Sequence, residues 1–180
     1  MSRLSSMDTL ANIRNHESWS SLAQALLNSY RQWTGQELIQ RTTPEADLQT
    51  LWETPRVVVS HGTQSDPVFE YGNRLALELW ELPLHDFLGM PSRKTAEPVH
   101  QDDRRRLLER TRQHGFVDDY RGVRISRTGK RFMIQNALLW TVLNRDGKAI
   151  GQAATFDRWT FLDALESAQA LKSHETPTQA

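Results

Sequence analysis

Polar side chains set inside apolar runs are where this sequence could do chemistry. Asn136 and Gln152 interrupt strongly apolar segments, and such groups cost stability unless they are hydrogen-bonded. Their partner is either a neighbouring side chain or water, or a ligand in a cavity. Trp80, Tyr120 and Trp140 offer planar faces on which a ring could stack, although aromatic core is the commoner use of such residues. Arg93, within Ser92-Arg93-Lys94, could meet an anion, with Glu97 nearby as an internal ion partner. Asp118 and Asp119 resemble an acid–base pair, but adjacent residues on a strand point to opposite faces and would not share a substrate. The six histidines show neither H-x-x-x-H nor H-x-H spacing, so no dedicated zinc site is expected. His85 or His100 is where an axial haem ligand would fall; a surface or capping role is the simpler account. Arg121, Arg124, Arg127, Lys130 and Arg131 cluster with no acid among them. They could touch phosphates, or form a solvated edge that blocks strand-to-strand aggregation; the second reading is preferred.

Composition narrows these choices. The chain has 180 residues, with Lys+Arg 22 against Asp+Glu 22, so wholesale affinity for nucleic acid or membrane is not expected. Hydrophobic residues make up 38% and glycines number nine, just under the roughly 45–50% of ordinary globular domains. The core is sufficient for one domain. The absence of cysteine removes thiolate metal sites, iron–sulfur clusters, cysteine nucleophiles and cysteinyl cofactor adducts. It fits a cytoplasmic protein, as does the lack of an apolar run of signal-peptide or membrane-span length. No phosphate loop, G-x-S-x-G or dinucleotide fingerprint is present.

The elements that must position these residues follow from periodicity. Trp19, Leu22, Ala23, Leu26, Leu27, Tyr30 and Trp33 recur at spacings of three and four, which predicts an amphipathic helix stopped at Gly35. Thr43-Pro44 starts a second helix, which Pro55 ends. Val57-Val58-Val59 and Val68-Phe69-Glu70-Tyr71 read as strands around turn chemistry at His61–Pro67. Asn73 caps a helix carrying Leu79 and Trp80. A helix over about Gln101–His114 has only Leu107 and Leu108 as an apolar face, so a surface position is expected. Strands over about Phe116–Ser126, Arg131–Leu143 and Ala149–Phe156 follow, separated by Thr128-Gly129 and Asp146-Gly147. Thr160 with Asp163 suggests a last helix. Strict alternation along Arg131–Leu143 puts Phe132, Ile134, Leu138, Trp140 and Val142 on one face, and Met133, Ala137, Leu139 and Leu143 on the other. Both faces are apolar, so both must be covered. The helix bearing Trp19, Leu26, Tyr30 and Trp33 is the natural second cover, on its own subunit or a partner's. A two-residue turn at Asp146-Gly147 would set Gln152 opposite Thr141, on the face away from Asn136, and a one-residue slip would reverse that.

This order of elements resembles a PAS domain, a five-stranded sensor module. Asn73 with Leu79-Trp80, Asp102-Asp103 with Leu107-Leu108, Arg127-Thr128-Gly129-Lys130, Asp146-Gly147 through Gly151, and Asp157-Arg158-Trp159 resemble its local signatures. Longer runs resemble bacterial members of the PAS-related MEKHLA family. They are Ser60–Thr63, Asp66–Arg74, Pro91–Lys94, Gly115–Ser126 and Gly151–Phe161. Plant relatives carry that domain at the end of homeodomain–leucine zipper transcription factors.

The resemblance implies an α+β fold: a five-stranded antiparallel sheet, connecting helices on one face and an N-terminal helix on the other. Expected divisions are tails at 1–15 and 173–180, a helical cap at 16–54, a core at 55–159 and a C-terminal helix at 160–172. It implies a non-catalytic sensory or regulatory role, binding a small molecule or a protein partner, with a homodimer formed through the N-terminal helix. The candidate pocket is Trp80, Arg93, Tyr120, Asn136, Trp140 and Gln152, and the candidate signal exit is Asp157 and Trp159. No cofactor is named; a non-covalent flavin or haem stays open, and a trans-acting signalling protein is a candidate partner. The alternatives are a small-molecule enzyme with an α+β pocket, and a nucleic-acid-associated regulator using the Arg121–Arg131 hairpin.

Overall fold

The computed structural model describes residues 17–162. The expected tails and most of the expected C-terminal helix, from 163 onward, lie outside the described residues. In chain order the elements are α1 (Glu17–Thr34), α2 (Pro44–Glu53), β1 (Val57–His61), β2 (Phe69–Gly72), α3 (Arg74–Trp80), α4 (Leu84–Phe87), α5 (Gln101–His114), β3 (Phe116–Ile125), β4 (Arg131–Leu143), β5 (Ala149–Phe156) and β6 (Arg158–Leu162). Two short 3-10 turns precede α5.

Local chemistry sets most boundaries as expected. Thr43 accepts a hydrogen bond from the Ala46 N–H and Pro44 opens α2. Asn73 is fully buried and makes three side-chain hydrogen bonds to the frame. Its carbonyl oxygen accepts from the N–H groups of Ala76 and Val58, and its amide donates to the Arg56 carbonyl. One side chain thus caps α3 and ties it to β1. Gly115, at φ +86°, closes α5 by donating to the Thr111 carbonyl.

The main sheet runs β2-β1-β5-β4-β3, all antiparallel, with β6 pairing β4. Expected and observed strands agree except at the end. Thr160 starts no helix: Arg158–Leu162 lies against Arg131–Gln135 as β6. The first half of β4 would otherwise expose an unpaired edge on that side, and strand pairing satisfies its backbone groups. Asp157 is an exposed bend between β5 and β6, and Trp159 packs edge-on against Phe156 with ring centroids 6.1 Å apart. The candidate exit therefore leads into a sixth strand.

Both sheet faces are covered, as the apolar pattern requires, but the residues are sorted differently. Between the pairs Val117–Leu139 and Tyr120–Ala137, β3 has two intervening residues and β4 has one. Between Tyr120–Ala137 and Gly122–Ile134 the excess is reversed. Each strand thus carries a bulge, with Asp119 and Asn136 at φ +52° and +51°. A bulge resets the side-chain alternation. Phe132 and Ile134 therefore join Ala137 and Leu139 on the α3–α5 face, whereas Leu138, Trp140 and Val142 face α1 and α2.

The cover for the second face comes from the same chain. Trp19 contacts Tyr71 and Trp52, with ring centroids 5.0 and 6.4 Å away, and Tyr30 meets Trp140 edge-on at 5.2 Å. Leu26 is fully buried in this cluster. The Ser29 hydroxyl accepts from the Leu143 N–H at 2.7 Å, and the indole N–H of half-buried Trp33 donates to the Thr141 carbonyl at 2.9 Å. The apolar stripe of α1 is thus buried against the sheet of its own chain.

Candidate functional site

A partly enclosed cavity of about 60 Å³ lies on the α3–α5 side of the sheet. Apolar side chains of β1, β4, β5 and α5 form most of its wall, among them Val59, Leu107, Ile134, Leu139 and Phe156. The strand pairs His61–Gln152 and Gln152–Thr141 bring polar residues of β1 and β5 to one end. Helix α5 lies across this end. Its inward residues are Arg104, Leu107 and Thr111, spaced for a single helical face. A helix expected at the surface thus buries an arginine in the site.

Two arginines dominate the polar lining. Arg104 is 8% exposed and Arg124 is 9% exposed. Arg104 Nη2 donates to Ser92 Oγ. Arg124 Nη1 donates to the Val123 carbonyl at 2.9 Å and Nη2 to Tyr120 Oη at 3.3 Å, with the guanidinium 5.6 Å from the Tyr120 ring centroid. All these partners are neutral. Burial, and then the positive charge of Arg124, push the Arg104 pKa down to about 10, so it stays protonated at neutral pH. Tyr120 reaches its place because position 122 is glycine: a Cβ there would lie 2.0 Å from the Tyr120 hydroxyl.

The remaining polar atoms are partly spent. Gln152 Nε2 donates to the Leu108 carbonyl at 2.7 Å. His61 Nδ1 lies 2.9 Å from the Gly62 carbonyl, so this nitrogen carries the proton and Nε2 is an acceptor. Burial is the main cause lowering the His61 pKa, with Arg104 adding to it, so the ring is neutral. His61 Nε2 and Trp80 Nε1 are buried without a hydrogen-bond partner. An outer cleft shares His61, Arg104, Leu108 and Gln152 with the cavity and opens it towards the Asp66 loop.

Three of the six expected pocket residues, Trp80, Tyr120 and Gln152, line this cavity. The other three do not. Trp140 is fully buried on the opposite face, because the β4 bulge reverses its side. Asn136 is exposed at that bulge, where its left-handed backbone explains an asparagine better than a ligand does. Arg93 stands in the outer cleft and donates to both carboxylate oxygens of Asp66 at 3.1 Å. Gln152 is opposite Thr141 as expected, although the turn closes through Asn144 and Lys148.

Sequence reasoning missed Arg104 and Arg124 as site residues, and took His61-Gly62-Thr63 with Asp66 as a candidate polar cluster that turn formation explains equally well. Arg124 was read as one cation of a solvated hairpin, yet its neighbours are held elsewhere. Arg131 pairs with Glu97 through two bonds of 2.7 Å, Lys130 pairs with Glu81, and Arg127 approaches Asp86 at 4.0 Å. The available signal was the pairing of Arg124 with Phe132, a core position one hairpin away. Among the described residues no cluster of His, Asp and Glu could hold a metal ion, and no helix is long and apolar enough to cross a membrane.

A five-stranded antiparallel sheet in this order, with helices over one face and a cavity beneath them, defines a PAS-like fold. Solved structures agree. The PAS domain of a Colwellia psychrerythraea protein superposes with a TM-score of 0.55 at 9% identity, covering 66% of this chain and 95% of its own. A light-oxygen-voltage domain superposes at 0.52 with 16% identity, covering 73% and 93%. Such identities show the fold alone. Within this fold the chain belongs to the MEKHLA domain family, whose profile matches residues 20–161. Similar curated proteins include the homeobox-leucine zipper protein ATHB-15 of Arabidopsis thaliana, 26% identical over 148 residues. The rice protein HOX29 is 27% identical over 152 residues. Each alignment covers 79% of this chain but only 17% of the relative's length.

Proposed function

We propose that this MEKHLA domain is a non-catalytic, cytoplasmic sensory module that binds a small molecule between its sheet and α5. One observation carries the reading. The cavity combines apolar walls with buried polar groups that the frame does not use, the usual design of a small-molecule site. Its wall includes all five strands of the main sheet and α5, so a ligand favouring one packing of α5 on the sheet would shift the population towards it. The output would be an altered surface offered to a trans-acting partner. A homodimer remains part of this proposal, but it must use a surface other than the buried stripe of α1.

A flavin role does not suit these residues. The light-oxygen-voltage relative is described with a flavin analogue, whereas this chain has no cysteine for an adduct. The cavity of about 60 Å³ is also well below the space of drug-sized ligand pockets, which run at roughly 300–1,000 Å³.

Mass spectrometry of the supernatant from denatured, freshly purified protein tests the proposal. A released small molecule whose re-addition raises the melting temperature is expected. A protein that releases nothing, and whose melting is unmoved by a broad metabolite panel, would make this a pure protein-interaction module.

A further inference from the structure

We propose that the cavity receives a small carboxylate, its oxyanion held between Arg104 and Arg124 and its apolar body directed towards Leu139 and Trp80. This rests on the small-molecule reading above and specifies the ligand's charge and size.

The argument starts from charge. Among the described residues, neither buried arginine has a carboxylate within ion-pair distance, although three surface arginines near them do. Arg93 has Asp66, Arg105 has Asp102 and Arg112 has Glu109. A guanidinium carries five N–H donors. Arg104 has one hydrogen-bond acceptor and Arg124 two, all neutral. Buried charges are otherwise paired or lost. These two also repel each other, since the positive charge of Arg124 is felt at Arg104, while the attraction from Asp66 is shared with Arg93. An oxyanion in the cavity would supply the missing counter-charge and accept the unused N–H groups.

Size and surroundings select the anion. A volume of about 60 Å³ admits an acid of a few heavy atoms without rearrangement. Apart from its polar end the wall is apolar, which suits a short hydrocarbon body better than a fully hydrated inorganic ion. Neutral His61 adds no third cation, and its Nε2 is free to accept from a ligand hydroxyl or water. The outer cleft gives an entry route, and its paired arginines leave Arg104 as the unneutralised cation at the inner mouth.

The test uses the full chain at constant ionic strength, with propionate, its neutral counterpart propionamide, and inorganic phosphate as probes. Binding is read by thermal shift and by amide and indole shifts in ¹⁵N NMR spectra. Propionate should raise the melting temperature and move the Trp80 indole and Gln152 signals; propionamide should do neither. Arg104→Met and Arg124→Met should each weaken propionate by about tenfold or more. Arg104→Lys, which keeps the charge, should recover part of the loss and guards against a folding defect in the methionine variant. Equal binding of propionamide, or binding unchanged in both variants, overturns the anion assignment while leaving a small-molecule cavity standing. Binding of phosphate alone overturns the carboxylate assignment. A cavity that takes none of these probes overturns this inference; if nothing is released on denaturation and a broad metabolite panel also leaves the melting unmoved, the sensory reading falls with it.

Discussion

The two faces of one sheet treat buried charge in opposite ways. On the N-terminal side Asp47 is 2% exposed and fully partnered. It accepts from the Thr42 N–H at 2.7 Å, from Arg41 at 3.1 Å and from Gln24 at 3.2 Å. Arg41 in turn donates to Asn28 and Gln24, which ties the loop before α2 to α1. On the α5 side Arg104 and Arg124 are buried nearly as deeply with neutral partners only. Both faces are packed with large aromatics, and the second also holds the cavity. A closed network beside a dense core marks a structural face. Unpaired charges beside a space mark a face kept for something else, at some expense of stability.

The largest effect should come from breaking the structural face. Trp140→Ala removes a fully buried ring that α1 packs against. A loss of about 3–5 kcal/mol is expected in urea unfolding. A loss below about 1 kcal/mol would mean that α1 is only loosely docked.

Asp47→Asn should cost less, about 1–3 kcal/mol, through loss of charge-assisted bonds. Here pH sharpens the contrast. Burial alone would raise the Asp47 pKa, but the bonds from Thr42, Gln24 and Arg41 outweigh it and hold the carboxyl below its ordinary value. A depressed folded pKa gives stability that is complete above the unfolded carboxyl range and is lost as pH falls through the folded value. The difference between wild type and Asp47→Asn should therefore be constant from neutral pH to about pH 5 and shrink below about pH 4. A difference that is flat down to pH 3 would assign the effect to packing.

The smallest change should come from the cavity face. Arg104→Met replaces an uncompensated buried cation with an apolar side chain of similar length. Stability without ligand should stay within about 1 kcal/mol of wild type or rise. A loss as large as that of Trp140→Ala would place Arg104 in the frame and erase the difference between the faces.

Much of the frame was legible because its signals are local. Thr43-Pro44, Asn73 and the turn glycines act within a few residues, and α5 runs over Gln101–His114 as its acidic start and glycine exit require. The family resemblance and the three long strands follow from the same local patterns. The terminal helix was misread for the converse reason. Its capping signal at Thr160 is weak, and the vacant edge of β4 that captures Arg158–Leu162 exists only after folding.

The candidate site was half legible. Trp80, Tyr120 and Gln152 were found because aromatic and polar residues stand out in apolar runs. Trp140 and Asn136 were misplaced by one bulge, and Arg104 and Arg124 were passed over because arginines in charged stretches look like surface. By itself the sequence determined the elements up to β5, the need to cover both sheet faces and the exclusion of cysteine chemistry. Those depend on residue type and short-range spacing. The tertiary structure alone decided which side chains face the cavity and which charges lack a partner. The bulge in β4, compensated by one in β3, inverts the alternation of β4 midway, and the pairing of charges is settled between residues far apart in the chain.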